Sequence, residues 1–157
     1  MNIFILSEDT RENARWHCDK HITKMPLEAA QLLSTAIICC GGTTRYKLAH
    51  KNHPCAIWAR TTRSNFLYLA QLAYDLCDEY KARYNKEHGC LPVIDECLSL
   101  SSLVPDGPQT DFVQAMPEEY KRSTAVEAYR AYYLGAKADI AKWKHSPRPF
   151  WWSKEVA

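Results

Sequence analysis

Apolar and polar residues alternate at steps of three and four from Asp9 to Gly42, the period of a helix packed on a core. Ala14, Cys18, Ile22, Met25, Ala29, Leu32 and Ala36 make an apolar stripe. Asn13, His17, His21, Lys24, Glu28 and Gln31 make a polar stripe one position earlier, on the border where buried surface meets solvent. Asp9 with Glu12 reads as a capping pair that starts this helix, and Cys40-Gly41-Gly42 reads as its end. Pro26 removes one backbone hydrogen bond inside it and predicts a bend between Lys24 and Glu28. Before it, Met1 to Leu6 is a short apolar run expected to lie in the core as an extended segment.

Further on, Thr43 to Pro54 is basic and turn-like, and Ala56 to Arg60 predicts a short helical turn. Thr62 to Tyr84 predicts a second amphipathic helix with Phe66, Leu69, Ala73, Leu76 and Tyr80 inward. Leu91 to Pro117 mixes a short helical piece with the loop signal Pro-Asp-Gly-Pro. Thr124 with Glu127 is a capping box, and Val126, Tyr129, Tyr133, Ala136, Ile140 and Trp143 predict a third long helix that Pro147 and Pro149 stop. The expected fold is all-α: one domain spanning residues 1–157, with three principal helices, long irregular connections and little or no sheet.

The net charge of +2 hides an asymmetry. No acidic residue lies between Glu28 and Asp75, where Arg45, Lys47, Lys51, Arg60 and Arg63 fall with His50 and His53. A second basic run holds Lys137, Lys142, Lys144, His145, Arg148 and Lys154. Such blocks favour a polyanionic partner, and a merely solvated charged surface is the plainer alternative. Seven cysteines without any C-x-x-C indicate neither a disulfide scaffold nor a zinc ribbon and read as reduced thiols in or near the core. Polar residues interrupt every apolar stretch before bilayer length, and Met1 to Leu6 is too short for a secretory signal. A cytoplasmic, monomeric protein with no membrane contact is expected.

The polar stripe supplies candidate chemistry: two imidazoles as proton carriers, an amine, and a carboxylate. A polar helix edge with partly buried histidines and an i,i+4 ion pair is the structural alternative. His17 and His21 at i,i+4 with His50-x-x-His53 also have the spacing of a zinc site. The cationic surroundings of His50 and His53 favour phosphate over a divalent ion, so no metal and no cofactor is expected. His50, Lys51, Asn52 and His53 read as contacts to a nucleic-acid backbone or a displaced nucleotide, together with Arg45, Lys47 and Arg60. Arg148, between prolines on a stiff tail, reads as a phosphate contact, and Trp151 and Trp152 as base-stacking or wedging groups, with core packing as the alternative.

The layout resembles the phage pyrimidine-dimer DNA glycosylases known as endonuclease V. Met116-Pro-Glu-Glu-Tyr followed by a helix and Arg148-Pro-Phe-Trp-Trp is similar to that family's last helix and its Arg-Pro-Thr-Trp-Tyr tail. Met1-Asn-Ile-Phe-Ile-Leu-Ser-Glu8 is similar to its opening segment, and His17 and Pro26 fall where its first helix has a histidine and a proline. The resemblance implies double-stranded DNA as partner, a phage-infected bacterial cytoplasm as location, and excision of a damaged base followed by a nick. Two departures bear on mechanism. The family's nucleophile is the α-amino group of a threonine exposed by methionine removal, whereas here Asn2 is too bulky for efficient removal and the expected terminus is Met1. The family's catalytic glutamate falls at Lys24.

A base-excising lyase needs a neutral amine to attack C1′ and a carboxylate to stabilise the sugar cation. On this reading Lys24 is the candidate amine, its proton affinity lowered by partial burial and by Lys20 one turn earlier, and Glu28 is the candidate carboxylate. His17 and His21 would shuttle protons or bind a flipped base, with Asp19 or Glu28 fixing a tautomer. The alternatives are a transferase that modifies a flipped pyrimidine in phage DNA, and a catalytically silent DNA-binding or inhibitor protein.

Overall fold

In the computed structural model, which describes residues 1–153, every regular element is helical, and Lys154 lies outside the described residues. The order is α1 (Thr10–Trp16), α2 (Asp19–Cys39), α3 (Pro54–Thr61), α4 (Arg63–Tyr84), α5 (Leu91–Ser99) and α6 (Ala125–Leu134), with 3-10 turns at Ser101–Leu103 and Glu118–Tyr120. The fold is all-α, as the periodicity predicts. The two long helices α2 and α4 pack on each other, with α1 and α5 against both or one of them and α3 in the angle between them. No described helix is long and apolar enough to cross a membrane.

The apolar stripe from Ala14 to Ala36 is buried throughout, as is the inner stripe of α4 from Phe66 to Tyr80. Two caps also follow the sequence: Asp9 accepts from Glu12 N–H and Thr124 from Glu127 N–H. Thr62, expected as the first residue of its helix, caps it instead and accepts from Asn65 N–H. Gly41 takes φ +92°, which leaves its N–H to Ile38 O and that of Gly42 to Ile37 O, a Schellman closure of α2. Five of the seven cysteines are buried, and all seven are unpaired.

Two expectations need correction. The first helix is two helices: His17 and Cys18 are extended, with ψ 134° and 161°, so the break precedes Pro26, which sits inside α2. Arg83 of α4 holds this break. Its guanidinium donates to Arg15 O at 2.9 Å and His17 O at 2.8 Å, and pairs with Asp19 at 3.1 Å and Glu79 at 2.9 Å. The carbonyls that a continuous helix would bond to its own backbone are thus satisfied from a neighbouring helix. The third helix is also short. It has ten residues and ends at Gly135, where a Cβ would lie 2.4 Å from the Tyr120 ring. The three-four spacing of Ala136, Ile140 and Trp143 is not helical: Ala136 and Ile140 fall on turns and Trp143 on irregular chain. Three principal helices therefore become, among the described residues, two long ones and four short ones.

Candidate active site

The polar stripe turns out to be the seat of the N-terminal segment. Residues 1–6 run antiparallel to α1 and α2, extended and mostly buried, and such a segment must find partners for its backbone outside any sheet. Asn13 supplies the first: its side chain accepts from Leu6 N–H at 2.9 Å and donates to Phe4 O at 2.8 Å. The Phe4 ring then stacks on His21 at 4.5 Å and meets His17 edge-on at 6.1 Å. At the far end Glu28 receives the chain terminus. Its Oε1 accepts from Asn2 N–H at 3.1 Å and lies 3.4 Å from the Met1 amino nitrogen, while Oε2 lies 3.4 Å from Lys24 Nζ.

Asn2 locks this end. Its Nδ2 donates to Ala115 O at 2.9 Å, and its Oδ1 accepts from the Tyr129 hydroxyl at 2.7 Å. Burial raises the Tyr129 phenol well above its ordinary range, so it stays protonated and donates. The Cys55 thiol at the start of α3 also lies against Asn2 Oδ1, at 3.8 Å. A carboxylate and an amine are thereby held together by side chains from α2, α3 and α6.

The two stripe histidines are built into the interior. His17 is 1% exposed and its Nδ1 donates to Asn13 O at 2.8 Å, which fixes the proton on that nitrogen. Burial lowers its pKa to about 4. His21 Nδ1 lies 2.6 Å from the Tyr133 hydroxyl, which is nearer than Cys18 Sγ at 3.7 Å, so we assign the phenol proton to His21 and the imidazole proton to Nε2. Burial, then the charges of His17, Lys137, Lys24 and Lys20, lower His21 to about 3. Both rings are neutral at pH 7. Asp19 touches neither; its carboxylate takes Arg83 and the Lys144 N–H at 2.7 Å.

The basic residues divide. Lys20, Lys47, His50, Lys51, Asn52 and Arg148 are exposed, and Lys20 borders a hollow of about 390 Å³ with Lys142, Lys144 and His145, alongside Asp19 and Asp139. Arg45 pairs with Glu96 at 3.3 Å, and Arg60 donates to Lys51 O at 2.7 Å, which fastens the 50–53 turn onto α3. His53 caps α3 through Nδ1. Trp151 packs near Trp16 and Tyr133, and Trp152 against Trp143, while Phe150 is 81% exposed. No cluster of three or more His, Cys, Asp or Glu occurs among the described residues. A hollow of about 630 Å³ bordered by Glu8, Tyr68, Asp111, Phe112 and Thr124 carries two carboxylates and no basic side chain, which makes it a poor seat for phosphate.

Sequence reasoning named Glu28 and Lys24 but missed the Met1 amine and Asn2. Two signals were available: the terminal α-amine nucleophile of the family that the opening segment resembles, and the apolar Met1 to Leu6 run, whose burial in an all-α fold requires polar side chains along the helix it crosses.

Residues 1–92, which run from the Met1 amine through Glu28 and α4 to the start of α5, match the sequence profile of pyrimidine dimer DNA glycosylases. The chain belongs to that family. The match lies in the N-terminal part, whereas Met116-Pro-Glu-Glu-Tyr and the Arg148 tail fall beyond it. No curated protein and no solved structure matches the chain.

Proposed function

We propose that this protein excises a damaged pyrimidine from duplex DNA, with the Met1 amino nitrogen as nucleophile and Glu28 as its carboxylate partner, and then nicks the strand. The observation that carries this reading is the 3.4 Å approach of the Met1 nitrogen to Glu28 Oε1. The neutral amine attacks C1′, the N-glycosidic bond breaks, and the base leaves with the bonding pair. Glu28 stabilises the sugar cation and takes a proton from the alkylated nitrogen, and ring opening onto O4′ gives an imine. Loss of a C2′ proton then expels the 3′ phosphate by β-elimination, and water releases the enzyme from the imine.

Amine class favours Met1 over a lysine. α-Amines ordinarily titrate near pH 8 and lysines near about 10.4, so an α-amine offers far more neutral nucleophile at physiological pH. Position favours it too: the Met1 side chain is 5% exposed, whereas that of Lys24 is 66% exposed. Lys24 is the second candidate, because its Nζ lies equally close to the other Glu28 oxygen. Lys20, Lys51, Asn52 and Arg148 contact phosphates, and Phe150 stacks on bases in place of the two packed tryptophans. The target nucleotide turns out of the duplex to reach the amine.

Glu28→Gln tests the reading. Base release from an oligonucleotide carrying a pyrimidine dimer falls by roughly 100-fold or more while duplex affinity changes by less than about threefold. Undiminished release would remove the pair from the chemistry.

A further inference from the structure

His53 stands at the N-terminus of α3, two residues before the Cys55 thiol that rests on Asn2. Its Nδ1 accepts the Cys55 N–H at 3.0 Å. A nitrogen that accepts from a backbone N–H carries no proton, so the neutral ring must carry its proton on Nε2, and no described residue takes that donor. The turn that leads into it is held at both ends. His50 adopts φ +51°, a left-handed conformation uncommon outside glycine, while His50 O accepts from His53 N–H at 2.9 Å and Lys51 O accepts from Arg60. Burial, then the charges of the Met1 amino group and His50, lower the imidazole pKa against the opposing pull of Glu28. The α3 start that His53 caps is joined to the amine–carboxylate pair through Cys55 and Asn2, whose N–H donates to Glu28. An exposed Lys51 and Asn52 precede it.

We propose that His53 is a further substrate-contacting residue, offering Nε2–H as a fixed hydrogen-bond donor to an acceptor oxygen of the nucleotide bound beside Met1 and Glu28. Protonation at Nδ1 would break the α3 cap, so the ring serves as a neutral donor of fixed direction and not as a shuttle. The acceptor is an oxygen of the base or of the phosphate flanking it. The inference rests on the amine–carboxylate reading of the site.

Asparagine and glutamine separate the two nitrogens. In His53→Asn the side-chain oxygen replaces Nδ1 and keeps the cap, but nothing reaches the position of Nε2. In His53→Gln the amide reaches the Nε2 position, but the cap is lost. We expect His53→Asn to melt with the wild type and to release the base roughly tenfold to 100-fold more slowly. We expect His53→Gln to melt about 2–4 °C lower and to recover most of the rate. A pre-formed abasic site assigns the oxygen: nicking slowed by His53→Asn identifies the phosphate, and nicking unchanged identifies the base. Wild-type borohydride trapping on the same substrate tests the amine chemistry on its own, so the two ideas fail separately. Full activity in His53→Asn would overturn the inference, as would loss of melting temperature and rate together in both variants, which would make His53 a helix cap only.

Discussion

The Asn13 side chain donates to the carbonyl of Phe4 at 2.8 Å from inside the core, and this grip decides where the chain terminus goes. With Leu6 N–H held by the same amide, the preceding residues follow the helix surface until Met1 reaches Glu28. Asn13→Ala leaves a buried N–H and a buried carbonyl without partners and should cost about 2–4 kcal/mol in urea unfolding. Base release should fall as well, because the terminus loses its anchor. A variant as stable as the wild type would show that other contacts seat the segment.

The Arg83 clamp makes a second prediction. Arg83→Met leaves Arg15 O, His17 O, Asp19 and Glu79 without their donor in a buried setting, with an expected cost of about 3–5 kcal/mol. Lysine should not restore it, since one ammonium cannot span groups arranged for a planar fork. Denaturant midpoints for the two variants check both statements.

Acid should weaken the fold through His17 and His21. Their folded pKa values, about 4 and about 3, lie below the ordinary histidine value, so between pH 6.5 and those values the unfolded chain binds more protons. Stability is therefore full above pH 6.5 and falls as pH drops through this window, by up to about 1.4 kcal/mol per pH unit for each ring. Urea midpoints from pH 7 to pH 4.5 measure the slope. His17→Gln should flatten it, and an unchanged slope would remove His17 as a source.

Much of this fold is readable from the chain. The buried stripes of α2 and α4 and the caps at Asp9, Thr124 and Gly41 are local patterns, and local patterns fix local structure. The break at His17 was hidden because the apolar spacing runs through it unchanged, and the residue that stabilises it, Arg83, is 66 positions away. The end of α6 was hidden because a tyrosine 15 residues upstream occupies the space beside Gly135, which spacing cannot express. At the site, the same stripe that reads as a border between buried surface and solvent is the partner of an extended segment. What the stripe faces depends on tertiary packing, which spacing does not express.

On the proposed function, exposed cations should give the protein a salt-sensitive hold on DNA. Lys20 and Lys51 lie on the surface, outside the amine–carboxylate contact, so replacing both with alanine should lower the slope of log affinity against log salt by about 1.8 in duplex binding. Arg60 is a less informative choice, since its bond to Lys51 O shapes the turn. A slope equal to the wild type would move the DNA-binding face elsewhere.

The covalent intermediate tests the central claim most directly. Borohydride added during turnover on a pyrimidine-dimer duplex should reduce the imine and leave one DNA adduct, which peptide mapping by mass spectrometry places on the Met1 nitrogen. Lys24→Ala should trap as the wild type does, and Glu28→Gln should trap little. An adduct on Lys24 or Lys20, or base release with no adduct at all, would contradict a mechanism that runs through the amine held against Glu28.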